Sequence, residues 1–245
     1  MNGVGDGLDL KQWRYTYYPQ MISGMLQFEK MKKWKFGYTL MTRYNSYYRF
    51  NHLETNRYDI YEQIPGEEAY VATYEYYNEI DEQWGGLGAS YNLGKHVSVG
   101  VSAFASYRDQ FFQQVLNARS VPNIDSIALL QGIGEYDNIK YINWKLIFKI
   151  GLALDYEKLR AGITLTTPSL DLYGDADVQR EISLVNFGPY DNASGMLNLM
   201  LIDRQASLPI NNKSPLSIAA GVQYKGSKTR IELSAEYFFG SNPTG

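Results

Sequence analysis

The segment "KLIFKIGLALDY", from Lys145 to Tyr156, has a residue period of two, and this alternation constrains the fold more than any other feature of the chain. Its even positions are all apolar, whereas its odd positions are mostly small or charged. Successive side chains of a strand point to opposite faces, so the pattern predicts a β-strand with one apolar face. A soluble sheet buries such a face in a core, whereas a membrane barrel turns it toward lipid.

The same alternation recurs along the chain and predicts eight strands. Most of the stretches exceed the about 5–6 residues of a soluble strand and reach the about 9–11 residues of a tilted membrane strand. In one of them, the apolar face runs from Trp34 to Tyr44 and the other face carries Lys35 and Arg43. The eight predicted strands lie at about 18–28, 34–50, 84–93, 96–112, 141–156, 159–170, 214–225 and 229–240.

Short and long connections alternate between these strands. The short ones are polar and rich in Lys, for example "NLGKH" and "YKGSKTR", and the long ones cover about 51–83, 113–140 and 171–213. Short turns at one end and long extracellular loops at the other are typical of outer-membrane barrels. The sequence therefore predicts an all-β fold, an antiparallel transmembrane β-barrel that forms one domain over residues 1–245.

Composition narrows the choice of function. The formal net charge of -3 offers no basic excess for nucleic acid, and a chain without Cys has neither disulfides nor thiolate metal sites. The sequence contains no run of 18 apolar residues, so no transmembrane helix is predicted. Tyr accounts for 22 of 245 residues, which suits both strands and membrane interfaces. A tyrosine-rich soluble β-sandwich is the alternative.

The N-terminal residues "MNGVGDGLDLKQW" do not form a signal peptide, because no basic region is followed by an apolar one. A protein of the bacterial outer membrane must be exported. The expectation is therefore that the export signal is missing from this chain, and that the chain is a processed protein or a piece of a longer one.

Three stretches, which begin at Gln83, Leu159 and Ser207, resemble the long-chain fatty acid transporter family of outer-membrane β-barrels. Residues Ser207 to Phe239 are similar to a late hairpin of that family, and Gln83 to Tyr107 are similar to an earlier hairpin. "LRAGITLTTPSLDLYGD", which starts at Leu159, resembles a strand of the family that ends in a hydroxyl-Pro motif. The tyrosine-rich style also resembles barrels from Bacteroidota.

The resemblance implies a barrel of about fourteen strands, an N-terminal plug, and passage of hydrophobic molecules through an opening at a strand kink. This chain departs from the family, because eight strands are counted and the plug with its Asn-Pro-Ala motif is not recognised. The expectation is a fragment of a larger barrel of 12–14 strands, incomplete at both ends.

Charged side chains on the small, polar faces of the strands are predicted to line the lumen. On a lipid-facing surface each basic group would cost about 2–4 kcal/mol, so these groups belong inside or near the rims. They form either a salt-bridged filling of the lumen or a polar lining that a solute passes. The predicted lumen residues are Arg43, Arg108, Lys145, Lys149, Asp155, Glu232 and Glu236.

Gly85 and Gly86 are predicted to form a strand kink, because paired glycines within a strand are typical of bulges and bends. In the resembling family, a kink provides the lateral exit. The alternative is that small residues are needed there for packing beside Trp84. An unbroken ladder of hydrogen bonds through both glycines would contradict the kink.

Two functions are consistent with the predicted barrel. The first is passive uptake or binding of hydrophobic small molecules such as fatty acids, with no cofactor; the ligand is captured by the loops and released into membrane lipid. The second is a structural or assembly barrel whose extracellular loops bind a protein partner of a cell-surface complex. The candidate capture residues are Leu129, Leu130, Met196, Leu197 and Leu199, which could equally form a small core of their loops.

Catalysis is not expected. Neither His52 nor His96 stands at a spacing typical of a nucleophile or a metal site, and no G-x-S-x-G motif occurs. Asp171, Asp175 and Asp177 could supply oxygen ligands for Ca²⁺, although their spacing misses the EF-hand pattern. A solvated acidic loop is the alternative, and no metal site is predicted.

Overall fold

The computed structural model describes residues 20–61, 64–122, 130–188, 195–210 and 212–240, and nearly all of them belong to one antiparallel β-sheet. None of these residues forms a helix long and apolar enough to cross a membrane. A 3₁₀ turn, Glu29–Met31, follows the first strand. The strands are β1 Met21–Leu26, β2 Trp34–Tyr58, β3 Glu68–Asn92, β4 Val97–Val121, β5 Gln131–Asp155, β6 Leu159–Thr166, β7 Leu170–Phe187, β8 Leu197–Pro209, β9 Ser217–Lys225 and β10 Arg230–Phe238.

The sheet divides beyond β5. We call the end with the short turns β3–β4, β5–β6 and β9–β10 the lower end. In the lower half the order is β1-β2-β3-β4-β5-β6-β9-β10, whereas in the upper half β5 pairs with β7, which pairs with β8. Among the described residues β1 and β10 do not pair with each other, so the sheet is open. The prediction of an antiparallel all-β fold is confirmed, and closure into a barrel is not seen.

The three predicted long loops are wrong. Strands β2 to β5 have 25 residues each and continue through most of 51–83 and 113–140, while β7 and β8 occupy most of 171–213. Alternation fades there because both faces carry polar and aromatic side chains. Cross-strand ring contacts stabilise this upper half instead, such as Phe50 with Tyr76 at 5.2 Å between centroids and Tyr76 with Phe112 at 5.6 Å.

The sheet curls around a cavity at the level of its middle strands. Side chains from seven strands, β2 to β6 with β9 and β10, line the same space. A flat sheet would separate β2 from β10 by roughly 29 Å, because neighbouring strands lie about 4.8 Å apart. We therefore call the face toward the cavity the inner face. Fully buried Ile147, Asn143 and Ser106 lie in the strands at this level.

A β-bulge at Arg43 changes which residues of β2 face inward. Below it Met41 pairs with Trp84, and above it Tyr44 pairs with Glu82, so Arg43 is the extra residue. The sequence pattern placed Tyr44 on the outer, apolar face, whereas Tyr44 and Arg43 both line the cavity. A bulge inserts one residue and therefore reverses the alternation beyond it.

The predicted kink at Gly85 and Gly86 is wrong. The ladder runs without interruption through both residues, which pair with Leu40 and Thr39 on β2. On the other side they pair with Ala105 and Phe104 of β4. Gly86 has a packing role, because a Cβ added there would overlap the Phe104 ring.

The two glycines should therefore respond differently to substitution. We expect Gly86→Ala to lower the free energy of unfolding by about 1–3 kcal/mol, since overpacking displaces the Phe104 ring. Gly85→Ala is the matched control, because its nearest contact is Leu40 Cδ1 at 3.8 Å. Chemical denaturation measures both variants, and Phe104→Leu should restore part of the loss. Equal effects at the two positions would contradict this packing role.

Candidate functional site

The cavity inside the curled sheet has a volume of about 520 Å³ and an excess of positive charge. Five basic side chains line it against two acidic ones. Such an excess favours an anion in the cavity, because two acidic side chains cannot neutralise five basic ones among the described lining residues. The bases are Arg43, Arg108, Lys145, Lys149 and Lys213, and the acids are Glu82 and Glu236.

Glu82 is the centre of the polar network. The indole Nε1 of Trp84 donates a hydrogen bond of 2.7 Å to Glu82 Oε1, and the Ser106 hydroxyl donates one of 3.3 Å to the same oxygen. Arg108 Nη1 lies 3.5 Å from Oε2, and Lys145 Nζ lies 3.8 Å from Oε1. Glu82 and Lys145 are both buried, with 7% and 3% of their surface exposed. The carboxylate therefore compensates partly buried Arg108 and buried Lys145, whose charge also interacts with Asp171.

Trp84 provides the apolar surface of the site. The Arg43 guanidinium lies 5.7 Å from its ring centroid, and Lys149 Nζ lies 5.5 Å from it. Lys149 also lies 5.8 Å from the Phe104 ring. Cation–π contacts of this kind hold the bases while leaving their charge uncompensated. Arg43 and Lys149 are thus available to an incoming anion.

Arg108 connects the cavity with the upper half of the sheet. Its Nη2 donates a hydrogen bond of 3.1 Å to Gln110 Oε1, which also accepts one of 2.7 Å from the Tyr141 hydroxyl. Burial raises the pKa of the Tyr141 hydroxyl above its ordinary value, although the adjacent Arg108 opposes this change. The phenol therefore remains protonated and serves as a donor near neutral pH.

The wall of the sheet is interrupted beside the cavity. The β6–β9 ladder ends at the pair Thr166 and Ser217, and the β7–β8 ladder begins at the pair Asp175 and Pro209. Between these two pairs, only a few hydrogen bonds join residues 167–174 to residues 210–216 within the described part of the chain. We call this interruption the gap.

Residues 212–216, which we call the strap, cover the gap from inside. Asn212 to Pro215 line the cavity. The Ser214 amide donates a hydrogen bond of 2.7 Å to Ser169 Oγ, and the Ser169 amide donates one of 3.1 Å to the Ser214 carbonyl oxygen. Pro215 and the facing Pro168 have no amide proton, which explains why no ladder forms here.

Five of the seven predicted lumen residues meet at the cavity: Arg43, Arg108, Lys145, Lys149 and Glu236. Glu236 accepts a hydrogen bond of 2.6 Å from Ser217. Asp155 and Glu232 do not reach the cavity. Asp155 pairs with Arg160 at 2.9 Å near the lower end, and Glu232 pairs with Arg230 at 2.8 Å on the edge strand, both in exposed positions.

The predicted capture residues do not gather around a ligand site. Leu129 lies outside the described residues. Leu197 and Leu199 belong to β8, where Leu199 pairs with Leu184 of β7. Leu130 accepts a hydrogen bond of 2.9 Å from Asn186 through its carbonyl oxygen, and Met196 immediately precedes β8. These four residues lie at the upper end of the sheet, away from the basic cavity.

The aspartates considered for Ca²⁺ do not converge on one ion. Asp171 pairs with inward-facing Lys145, whereas Asp175 and Asp177 pair with Ile142 and Lys140, whose side chains point to the outer face. Within the part of the chain that the structure describes, no group of His, Cys, Asp and Glu could hold a metal ion.

Four residues of the site are not predicted from the sequence: Glu82, Trp84, Lys213 and Ser214. Glu82 and Trp84 could have been found, because they share a face with Gly86 by simple alternation. Lys213 and Ser214 follow no strand pattern, since the strap is irregular. The signal that marked the gap was the pair of prolines, Pro168 and Pro215, on segments that align across the sheet.

Comparisons with protein-family models, with curated proteins and with solved structures give no match to this chain.

Proposed function

We propose that this chain forms the wall of a bacterial outer-membrane barrel that binds and passes hydrophobic small molecules with an anionic head, fatty acids being the simplest case. The observation that carries the proposal is the basic cavity behind the gap, on the inner face of a sheet whose outer face is apolar. The polar head would lie in the cavity, and the apolar part would leave through the gap into the bilayer.

The outer face of the lower half supports a position in lipid. Leu87, Val101, Ile163 and Leu233 lie on different strands of this face, and their exposed fractions are 71%, 57%, 55% and 77%. Soluble monomers rarely expose a continuous apolar surface of this kind. In a bilayer the same surface is solvated by lipid.

Aromatic pairs at both ends of this apolar band support the same position. Tyr107 and Trp144 are 4.8 Å apart between centroids near its upper edge, and Trp34 and Tyr91 are 5.0 Å apart near its lower edge. Tyr and Trp prefer the two membrane interfaces. On β4 the band extends from Val97 to Tyr107, which matches the about 9–11 residues of a membrane strand.

The anionic head is supported by the charges of the cavity. Arg43 and Lys149 contact aromatic rings, and Lys213 lies on the strap. These three basic side chains can therefore bind an anionic group of a ligand. A carboxylate would form charge-assisted hydrogen bonds with them.

Binding of decanoate to the purified protein in a nonionic detergent, measured by calorimetry, tests the proposal. We expect decanoate to bind and Arg43→Met to weaken binding about tenfold, since one hydrogen bond to a charged group is lost. Arg160→Met is the matched control, because Arg160 pairs with Asp155 in an exposed position. Decanol, which lacks the charge, should bind more weakly. Equal binding of decanol and decanoate would contradict the role of the bases.

One observation favours the alternative, a structural barrel that scaffolds a cell-surface complex. The strands continue for about 14 residues above the apolar band, for example from Arg108 to Val121, a length that passage across a membrane does not require. Edge-to-face rings at Tyr47, Tyr77 and Phe111 lie on this part. A stoichiometric protein partner without decanoate binding would favour the scaffold.

A further inference from the structure

Lys145 contacts both the cavity and the strap. Its ammonium lies 3.8 Å from Glu82 Oε1 and donates a hydrogen bond of 3.2 Å to Ser214 Oγ. The side chain is almost fully buried, so each partner of its charge matters more than it would at an exposed position. An anion that enters the cavity attracts the same ammonium and can draw it away from Ser214.

The strap is held at Ser214 by few bonds. Besides the contact with Lys145, the two hydrogen bonds between Ser214 and Ser169 close this part of the gap. Pro215 and Pro168 offer no amide proton for further bonds across it. Segments with few backbone hydrogen bonds open locally at low free energy. Loss of the Lys145 contact therefore leaves Ser214 held only by its two bonds to Ser169 among the described contacts. The ends of the strap stay attached, because Asn212 bonds to Tyr141 and the Leu216 carbonyl oxygen accepts a hydrogen bond of 2.9 Å from the Phe239 amide.

We propose that Lys145 is a latch that couples anion binding in the cavity to opening of the gap. In the empty protein the ammonium holds Ser214 and keeps the strap against Ser169. A bound anion takes the ammonium, Ser214 is released, and the strap separates from the wall. Lys145 is a positioning residue for the strap, and this coupling rests on the proposed function.

Hydrogen exchange at the Ser169 and Ser214 amides tests the latch, because both amides donate across the gap. We expect decanoate, but not decanol, to accelerate their exchange about tenfold in the wild-type protein, as expected when a hydrogen bond to a charged group is lost. Lys145→Met and Ser214→Ala should show fast exchange without any anion. Lys149→Met is the matched control, because Lys149 contacts the Trp84 and Phe104 rings and should weaken decanoate binding while leaving the empty protein protected.

The outcomes separate the two proposals. Binding of decanoate without faster exchange, or slow exchange in both Lys145→Met and Ser214→Ala, would overturn the latch and leave the proposed function standing. Absence of decanoate binding would overturn the proposed function together with the coupling. Faster exchange of the Ser169 and Ser214 amides in Lys149→Met without any anion would also overturn the latch. Opening of the gap would then follow from lost charge in the cavity and not from the contact between Lys145 and Ser214.

Discussion

Replacement of Glu82 by Gln is expected to lower the free energy of unfolding by about 3–5 kcal/mol, because it removes the carboxylate that pairs with buried Lys145 and partly buried Arg108 and leaves Lys145 only its weaker interaction with Asp171. The amide oxygen of Gln still accepts a hydrogen bond from the Trp84 indole. The loss of stability therefore measures the effect of removing the negative charge. Denaturant titration in detergent measures the change. Asp155→Asn is the matched control, and it should cost about 0–1 kcal/mol because its pair with Arg160 is exposed.

A second readout distinguishes charge from general damage to the fold. With Glu82 neutral, the cavity gains net positive charge, so an added anion should bind more tightly and restore part of the lost stability. A Glu82→Gln protein that is destabilised and not rescued by decanoate would count against the cavity as an anion site. An unchanged stability would show that Lys145 and Arg108 do not depend on Glu82.

The second large effect is expected at Ile163, on the outer face of β6. In a bilayer, Ile163→Arg should cost about 2–4 kcal/mol, because the charge would face lipid. Thr164→Arg is the matched control, since Thr164 has the same depth but lines a second inner cavity of about 380 Å³ with Gly151 and other small residues. We expect Thr164→Arg to change the free energy of unfolding by less than about 1 kcal/mol.

The same pair of variants shows whether the outer face of the sheet is surrounded by lipid or by water. Ile163 is 55% exposed, so in an aqueous environment an Arg there would change stability by only about 0.5 kcal/mol. Denaturant unfolding from lipid vesicles measures both variants. A small effect of Ile163→Arg in vesicles would contradict the membrane position of the outer face.

The lower half of the sheet could be predicted because each of its faces has a single environment. Along β5, Phe148, Ile150 and Leu152 lie outside, whereas Lys145 and Lys149 lie inside, and this difference is visible as alternation. The same pattern brought five of the charged residues to the cavity. It failed for Asp155 and Glu232, because alternation identifies a face but not the height along a strand or the distance from an edge.

The upper half and the irregular positions could not be predicted for a related reason. Above Arg108 both faces of the strands carry polar and aromatic side chains, so a long strand resembles a loop in sequence. The bulge at Arg43 is a local insertion that becomes visible only in the register of β2 with β3, and it reverses the alternation beyond it. The gap depends on two prolines, Pro168 and Pro215, that are distant in sequence and meet only once β6 pairs with β9.

Strand β5 gives the molecule a mechanical property, because it is the common support of two branches. Below, it pairs with β6 from Lys149 to Asp155, and above, it pairs with β7 from Gly132 to Leu146. Apart from β5, only a few hydrogen bonds across the gap join the two branches among the described residues. The orientation of one branch relative to the other therefore depends on few contacts, and we expect the junction at β5 to be the most deformable part of the wall.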